Sequence, residues 1–254
     1  MDQPLAGKAF LVTGAARRVG AAIARRLHRL GGNILLHHRG GLAEANLLKQ
    51  ELNTARPGSA ETARADLADV PALLGLVDAA LAAFGRLDGL VNNASSFFPT
   101  PLGSITEAAW DDIVASNLKG PLFLAQAAAP ALARTRGAIV NIIDIHAERP
   151  LKDYVAYTIA KAGLAGMTRS LALELAPAVR VNGVAPGPIE WPAATDVAAG
   201  HIPDAEQARI LASTPLRREG GVEAIAGAVS FLFCDADFIT GQIIAVDGGR
   251  SIYL

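Results

Sequence analysis

Only one cysteine, Cys234, occurs in 254 residues, so no internal disulfide can form and no multi-cysteine metal site can be built. It reads as a small apolar filler of a helix predicted over 222–233. Charge of either sign is not in excess: the formal net charge is −1 and no basic run appears, which leaves nucleic acid and anionic membranes without an electrostatic footprint. No apolar stretch reaches the ~18 residues of a membrane span. The opening MDQPLAGKAF lacks the charged start and long apolar run of a signal peptide. Linkers, repeats and low-complexity segments are also missing. These absences lead us to expect a soluble cytoplasmic protein, with one domain over residues 1–254. Apolar residues are plentiful: 51 % of the chain, enough for a sizeable core.

The apolar residues fall into short runs that alternate with helical patterns. Strands are expected at 9–12, 34–36, 62–65, 87–91, 138–143, 180–184 and 243–246. Helices are expected at 19–30, 42–52, 71–84, 105–132, 153–175 and 222–233, the fourth bent where Gly120-Pro121 interrupts it. Continuously apolar strands alternating with helices imply βαβ units and a parallel sheet covered on both faces. The expected fold is therefore α/β, a Rossmann-like doubly wound parallel sheet of seven strands. Periodicity weakens from 190 to 218, where Pro192, Pro203 and Pro215 break the chain. We expect a lid of one or two short helices over about 188–220.

Two stretches carry chemistry. The first, Thr13-Gly14-Ala15-Ala16-Arg17-Arg18-Val19-Gly20, joins the first strand to the first helix, where a parallel sheet binds the pyrophosphate of a dinucleotide. Gly14 permits a tight turn and Gly20 close packing of helix on sheet. Arg18 stands where such loops often carry a middle glycine, and its cation could reach phosphate or an anionic substrate. The second strand ends in His37-His38-Arg39-Gly40, without the acid that would accept ribose hydroxyls. Arg39 suits a 2′-phosphate, so NADPH is the expected cofactor. His37 and His38 face opposite sides of a strand and have no third partner near in sequence, so no metal is expected. The second stretch runs from Asp144 through Tyr157 to Lys161. Tyr157 and Lys161, four apart, share one helix face. A cation beside a phenol draws its pKa of about 10 toward the working pH, and Asp144 at a strand end can fold over the same spot.

On these pieces, together with Asp66-Leu67, Asn92-Asn93-Ala94, Asn117 and Pro186-Gly187, the chain resembles the short-chain dehydrogenase/reductase family over nearly its whole length. The resemblance implies roles. Asn93 and Ala94 lie beside the cofactor ribose, and Asp66 and Leu67 contact adenine. Lys161 holds the nicotinamide ribose and tunes Tyr157. Asn117 kinks its helix and holds a relay water. Pro186, Gly187 and Ile189 pack on nicotinamide. Arg17, Arg18, Val19, His38 and Ser95 complete the cofactor contacts. One departure stands out. Most members carry a serine about a dozen residues before the tyrosine, whereas this chain has Asp144 and no Ser or Thr from 141 through 153. A carboxylate opposes the oxyanion of a reduced carbonyl and suits a ring whose nitrogens donate or receive protons.

That departure is similar to the pteridine reductases within the family. So are His38-Arg39 and the run Asn92-Asn93-Ala94-Ser95-Ser96-Phe97-Phe98-Pro99-Thr100-Pro101. The likeness implies that Phe97 stacks on a flat pterin, that Ser95 and Arg18 bind pterin and cofactor phosphate, and that Trp191 borders the pocket. The residue after Arg39, often serine in those enzymes, is Gly40 here. The expected activity is NADPH-dependent reduction of a dihydropterin or dihydrofolate C=N bond. Asp144, Tyr157, Lys161 and Asn117 form the proton-delivery centre, and Arg18, Ser95, Phe97, Asp144, Tyr157 and Trp191 meet the substrate. The nearest alternative is a carbonyl or 3-oxoacyl reductase. Enoyl reductases usually space their tyrosine and lysine more widely. A non-catalytic NADP-sensing module would not need Tyr157 and Lys161 together. Small residues at Ala156, Ala160, Gly163 and Gly166, with the family's habit of pairing its long helices, lead us to expect a homotetramer.

Overall fold

The computed structural model describes residues 3–191 and 202–253. Its strands are β1 (Ala9–Val12), β2 (Asn33–His38), β3 (Ala60–Arg64), β4 (Gly89–Asn92), β5 (Ala138–Ile142), β6 (Arg180–Pro186) and β7 (Ile243–Val246). All seven pair in parallel in the order β3-β2-β1-β4-β5-β6-β7. The helices are α1 (Arg18–Arg29), α2 (Leu42–Ala55), α3 (Val70–Phe84), α4 (Glu107–Val114), α5 (Gly120–Thr135), α6 (Val155–Leu175), α7 (Asp204–Ala212), α8 (Val222–Cys234) and the short α9 (Arg250–Tyr253).

Alternation along each strand divides the core in two. Phe10, Val12, Ile34, Leu36, Val91 and Val140 bury against α1 and α8, while Leu11, Leu35, Leu90, Ile139 and Val181 bury against α3, α5 and α6. The second set is a row across the sheet, because Leu35 pairs with Leu11, Leu11 with Leu90, Leu90 with Ile139 and Ile139 with Val181. Each such side chain contributes roughly 1.5–3 kcal/mol by leaving water. The doubly covered parallel sheet expected from the apolar runs is therefore present. Its crevice lies beyond the carboxyl ends of the strands, where β1 separates chain that winds one way from chain that winds the other.

The long helix expected over 105–132 is three elements. Between α4 and α5 lies a π-helical turn, Ala115–Lys119, in which the Gly120 N–H reaches the Ala115 carbonyl five residues back. Pro121 has no N–H to offer Asn117 four residues back, so the α ladder cannot run through. The widened turn leaves Asn117 buried beside Ser95 and Ser96, just past β4. Of the expected lid, α7 is present within 202–220, and residues 192–201 lie outside the described residues. The row of small residues on α6 packs within the chain: Ala156 and Ala160 are fully buried, and a Cβ on Gly163 would meet Leu118 at 2.7 Å. Only Gly166 of that row faces open space, so the stripe offers little surface to another helix. No helix among the described residues is long and apolar enough to cross a membrane.

Candidate active site

The β1–α1 turn is a tight cradle. Gly14 has φ +61°, and a Cβ there would stand 2.9 Å from the Ala94 Cα. A Cβ on Gly20 would lie 2.2 Å from the Gly14 carbonyl oxygen and 2.6 Å from Asn93 Nδ2. Both glycines are thus required by close approach. Just past β4, Asn93 Nδ2 donates to the Thr13 carbonyl (2.8 Å) and to that of Gly14 (3.2 Å). The Thr13 hydroxyl in return accepts from the Asn93 and Ala94 N–H groups at 2.9 and 3.0 Å. Arg18, placed where a glycine is common, has φ +49° and opens α1. Its Nε donates to Glu190 Oε2 (3.0 Å) and its Nη2 to the Glu190 carbonyl (3.1 Å). This tie joins the phosphate turn to the chain after β6, next to half-buried Trp191. Glu190 carries no signature that sequence reading could have used.

At the end of β2, Arg39 Nη1 donates to Asp112 of α4 (3.0 Å), and Arg64 Nε donates to the Arg39 carbonyl (3.2 Å). Arg17 pairs with Glu44 at 2.5 Å. His38 is buried, and its Nδ1 has no hydrogen-bond partner. Val19 packs on the α1/α8 side of the core. The Asp66 carboxylate caps its own turn through the Ala68 N–H (2.9 Å). Leu67 points into the core, where a Cβ on Gly120 would meet it at 2.8 Å, so only its backbone can face a ligand. Beyond β6, Gly187 presses on Asp247, 2.6 Å from where its Cβ would be, and Ile189 packs into the core against Gly220. A glycine-built turn at a helix N-terminus, with an orphaned imidazole nitrogen and two arginines at the end of β2, fits a dinucleotide cofactor.

The chemical centre assembles on β5, α6 and the π turn. Asp144 lies two residues past β5 and caps the 3₁₀ turn Ile145–Ala147 by accepting the His146 N–H on Oδ1 at 2.8 Å. That contact fixes the carboxylate, whose Oδ2 accepts from the Tyr157 hydroxyl at 2.8 Å. Lys161 lies a turn along α6, with Nζ donating to the Ile142 carbonyl (2.9 Å) and standing 5.6 Å from the Tyr157 ring centroid. Burial pushes Lys161 down to about 8, with the Asp144 charge opposing. The expectation that Lys161 lowers the phenol does not hold within the chain itself. Burial first, then the charge of Asp144 and the hydrogen bond to it, drive Tyr157 well above its usual value, with only the Ser95 hydroxyl opposing. The phenol is therefore a firmly protonated donor.

Ser95 donates to Asn117 Oδ1 (2.7 Å), and Asn117 Nδ2 donates to the carbonyls of Ser96 (2.9 Å) and Ile113 (3.0 Å). Phe97 stands edge-on to Tyr157, with centroids 4.7 Å apart, and stacks on Tyr154 at 4.6 Å and 16°. Tyr154 escaped the sequence reading because an aromatic just ahead of a helix has no signature of its own. The structure thus brings Ser95, Phe97, Asn117, Asp144, Tyr157 and Lys161 together, and joins Arg18 to the chain beside Trp191. Among the described residues no three His, Cys, Asp or Glu side chains cluster with metal spacing.

Comparison with known proteins places nearly the whole chain among reductases of one family. The family model described as enoyl-(acyl carrier protein) reductase matches residues 14–251. Pteridine reductase 1 of Leishmania tarentolae is 40 % identical, covering 95 % of this chain and 96 % of its own. The 3-oxoacyl-[acyl-carrier-protein] reductase of Staphylococcus aureus is 36 % identical over 95 % of this chain and 97 % of its own. A putative ketoacyl reductase of the granaticin polyketide synthase from Streptomyces violaceoruber is 37 % identical over 95 % of each.

Proposed function

As the chain belongs to the short-chain dehydrogenase/reductase family and is an NAD(P)H-dependent oxidoreductase, we propose that it reduces the C=N bond of a dihydropterin or dihydrofolate with NADPH. The observation that carries this reading is the 2.8 Å hydrogen bond from the Tyr157 hydroxyl to Asp144. Reducing a ketone builds negative charge on oxygen, which a carboxylate in that place would oppose. Reducing C=N leaves a ring nitrogen that must gain a proton, and a phenol held by a carboxylate is oriented to deliver it. The name of the Leishmania relative, the most similar of the three described, supports the same substrate class.

NADPH, when bound, supplies the hydride. Gly14, Gly20 and the N-terminus of α1 would hold its pyrophosphate, with Arg17 and Arg18 at hand. Arg39 and His38 would take the 2′-phosphate. The Arg39–Asp112 pair is exposed, and such pairs contribute little, so a phosphate dianion can displace the carboxylate. Lys161 would hold the nicotinamide ribose. Asn117 would hold a relay water, and Phe97 would lie on the pterin, with Ser95, Arg18 and Trp191 at its edge. Tyr157 hands its proton to the ring nitrogen, and Asp144 keeps the hydroxyl aimed. Trp110, Leu122, Val155 and Ile159 are exposed on α4, α5 and α6, apolar surface that the homotetramer we expect could cover; light scattering on the eluting protein decides its mass.

The second reading is a 3-oxoacyl reductase, favoured by the Staphylococcus and Streptomyces relatives. Oxidation of NADPH, followed with dihydrobiopterin, dihydrofolate, a 3-oxoacyl thioester and an enoyl thioester, separates these. We expect turnover with a pterin or folate. Activity confined to a thioester overturns the pterin assignment. Tight NADPH binding without turnover of any of the four leaves a cofactor-sensing module.

A further inference from the structure

His37, in β2, is 1 % exposed and is the residue to which the phosphate turn is fastened. Its ring Nδ1 accepts from the Gly14 N–H at 3.2 Å, and its backbone carbonyl accepts from the Ala15 N–H at 2.9 Å. Two consecutive backbone donors of the turn therefore end on one residue. Its other ring nitrogen, Nε2, lies 3.2 Å from the Ala65 carbonyl. An acceptor at Nδ1 and a donor at Nε2 require the single neutral tautomer protonated on Nε2. Burial pushes the ring down to about 4, so this neutral form holds at ordinary working pH. Ala65 directly precedes Asp66, where the chain leaves β3. The imidazole thus spans from the turn after β1 to the turn after β3.

The opposite side of the phosphate turn is clamped by Asn93, which takes the carbonyls of Thr13 and Gly14. Donors go to His37 and acceptors to Asn93, so the backbone that remains free to meet an anion is the N-terminal end of α1. A turn built on a glycine at φ +61° has many alternatives when released. Holding it in one conformation before the ligand arrives removes that ordering loss from binding.

We propose that His37 is a positioning residue for the dinucleotide, fixing the pyrophosphate turn and the adenine-side turn at one separation. The proposal rests on the dinucleotide reading given above. Three variants test it, with NADPH affinity measured by calorimetry and kcat measured at saturating NADPH. His37→Phe keeps a flat ring and removes both nitrogens. His37→Asn carries a polar atom where Nδ1 stands, able to accept from Gly14. His37→Gln reaches toward Ala65 and gives up the Gly14 contact. We expect the Kd of H37F to rise about tenfold or more, since a buried N–H loses its acceptor, with kcat unchanged within about twofold. H37N should bind more tightly than both H37Q and H37F. The proposal fails if H37F binds as wild type does, if kcat falls as far as affinity, or if H37Q binds as tightly as H37N. Should H37F not fold, the order of H37N and H37Q decides alone. A wild-type protein that binds neither NADPH nor NADH removes the dinucleotide reading instead.

Discussion

Replacing Asp144 by serine should exchange the preferred acceptor rather than merely weaken the enzyme. The carboxylate does two things: Oδ1 caps the turn at His146 and Oδ2 holds the Tyr157 hydroxyl, each at 2.8 Å. Serine caps a helical turn as well as aspartate does, so the cap itself should change by less than about 1 kcal/mol. The Tyr157 hydroxyl, 4 % exposed with its residue, loses a hydrogen bond to a charged group worth about 1.5–3 kcal/mol. Pterin kcat/KM should then fall roughly 10- to 100-fold. For a carbonyl acceptor the sign reverses. A negative charge beside the developing oxyanion disappears, and a hydroxyl donor replaces it. Such donors contribute on the order of 10²–10³ in rate. Two of the three pushes that raise the Tyr157 phenol also vanish, so the alkaline limb of the kcat profile should move to lower pH. The assay is kcat/KM for dihydrobiopterin and for a 3-oxoacyl thioester, wild type against Asp144→Ser, with the thermal midpoint as a folding check. Equal losses on both substrates, or an unmoved pterin rate, would refute the reasoning.

Three further outcomes follow from the same geometry. Tyr157→Phe removes the proton donor and should lower kcat by about 10²–10⁴ while leaving the NADPH Kd, read by fluorescence quenching, within a few-fold of wild type. Gly20→Ala puts a methyl 2.2 Å from the Gly14 oxygen. The turn must then open, and we expect a loss of about 1–3 kcal/mol in urea unfolding together with weakened NADPH binding. His28 and His37 are buried, and each is pushed down to about 4. The unfolded chain binds their protons first, so their contribution is complete above about pH 6.5 and is lost as pH falls toward 4. His37 alone accounts for up to roughly 3 kcal/mol. Urea midpoints measured across that window should drop steeply, and a flat profile would contradict the buried neutral rings.

Much of this could be read before any coordinates, for physical reasons. Strands buried on both faces must be apolar throughout, so β1, β4 and β5 announced themselves, and the glycines of the phosphate turn announced a close approach that the structure shows as Gly20 against Gly14. Asp144 was conspicuous because a charge replaced a hydroxyl. Partly polar strands were harder: β3, with its middle only half-buried, lies at Ala60–Arg64 rather than 62–65. Residue pattern alone put the bend late, at Gly120-Pro121, because a missing N–H disturbs the ladder on the side of its acceptor, four residues earlier, whereas the family resemblance put the kink at Asn117, inside the π turn. Interactions between distant residues left no local trace. The Arg18–Glu190 tie, the Arg39–Asp112 pair and the two-sided fastening of His37 each join segments that only the folded sheet brings together. The phenol shows the limit of local spacing. Tyr157 and Lys161 on one face predicted a lowered pKa, whereas burial and a neighbour thirteen residues earlier raise it.

The account rests on a carboxylate-held phenol serving the nitrogen of a C=N bond, and the fate of the hydride tests it most directly. NADPH deuterated at nicotinamide C4, turned over with a dihydropterin and analysed by mass spectrometry and NMR, should leave one deuterium on the ring carbon of the former C=N bond of the tetrahydropterin. A pterin recovered without deuterium, under conditions where a 3-oxoacyl thioester acquires it at the carbinol carbon, would contradict the account.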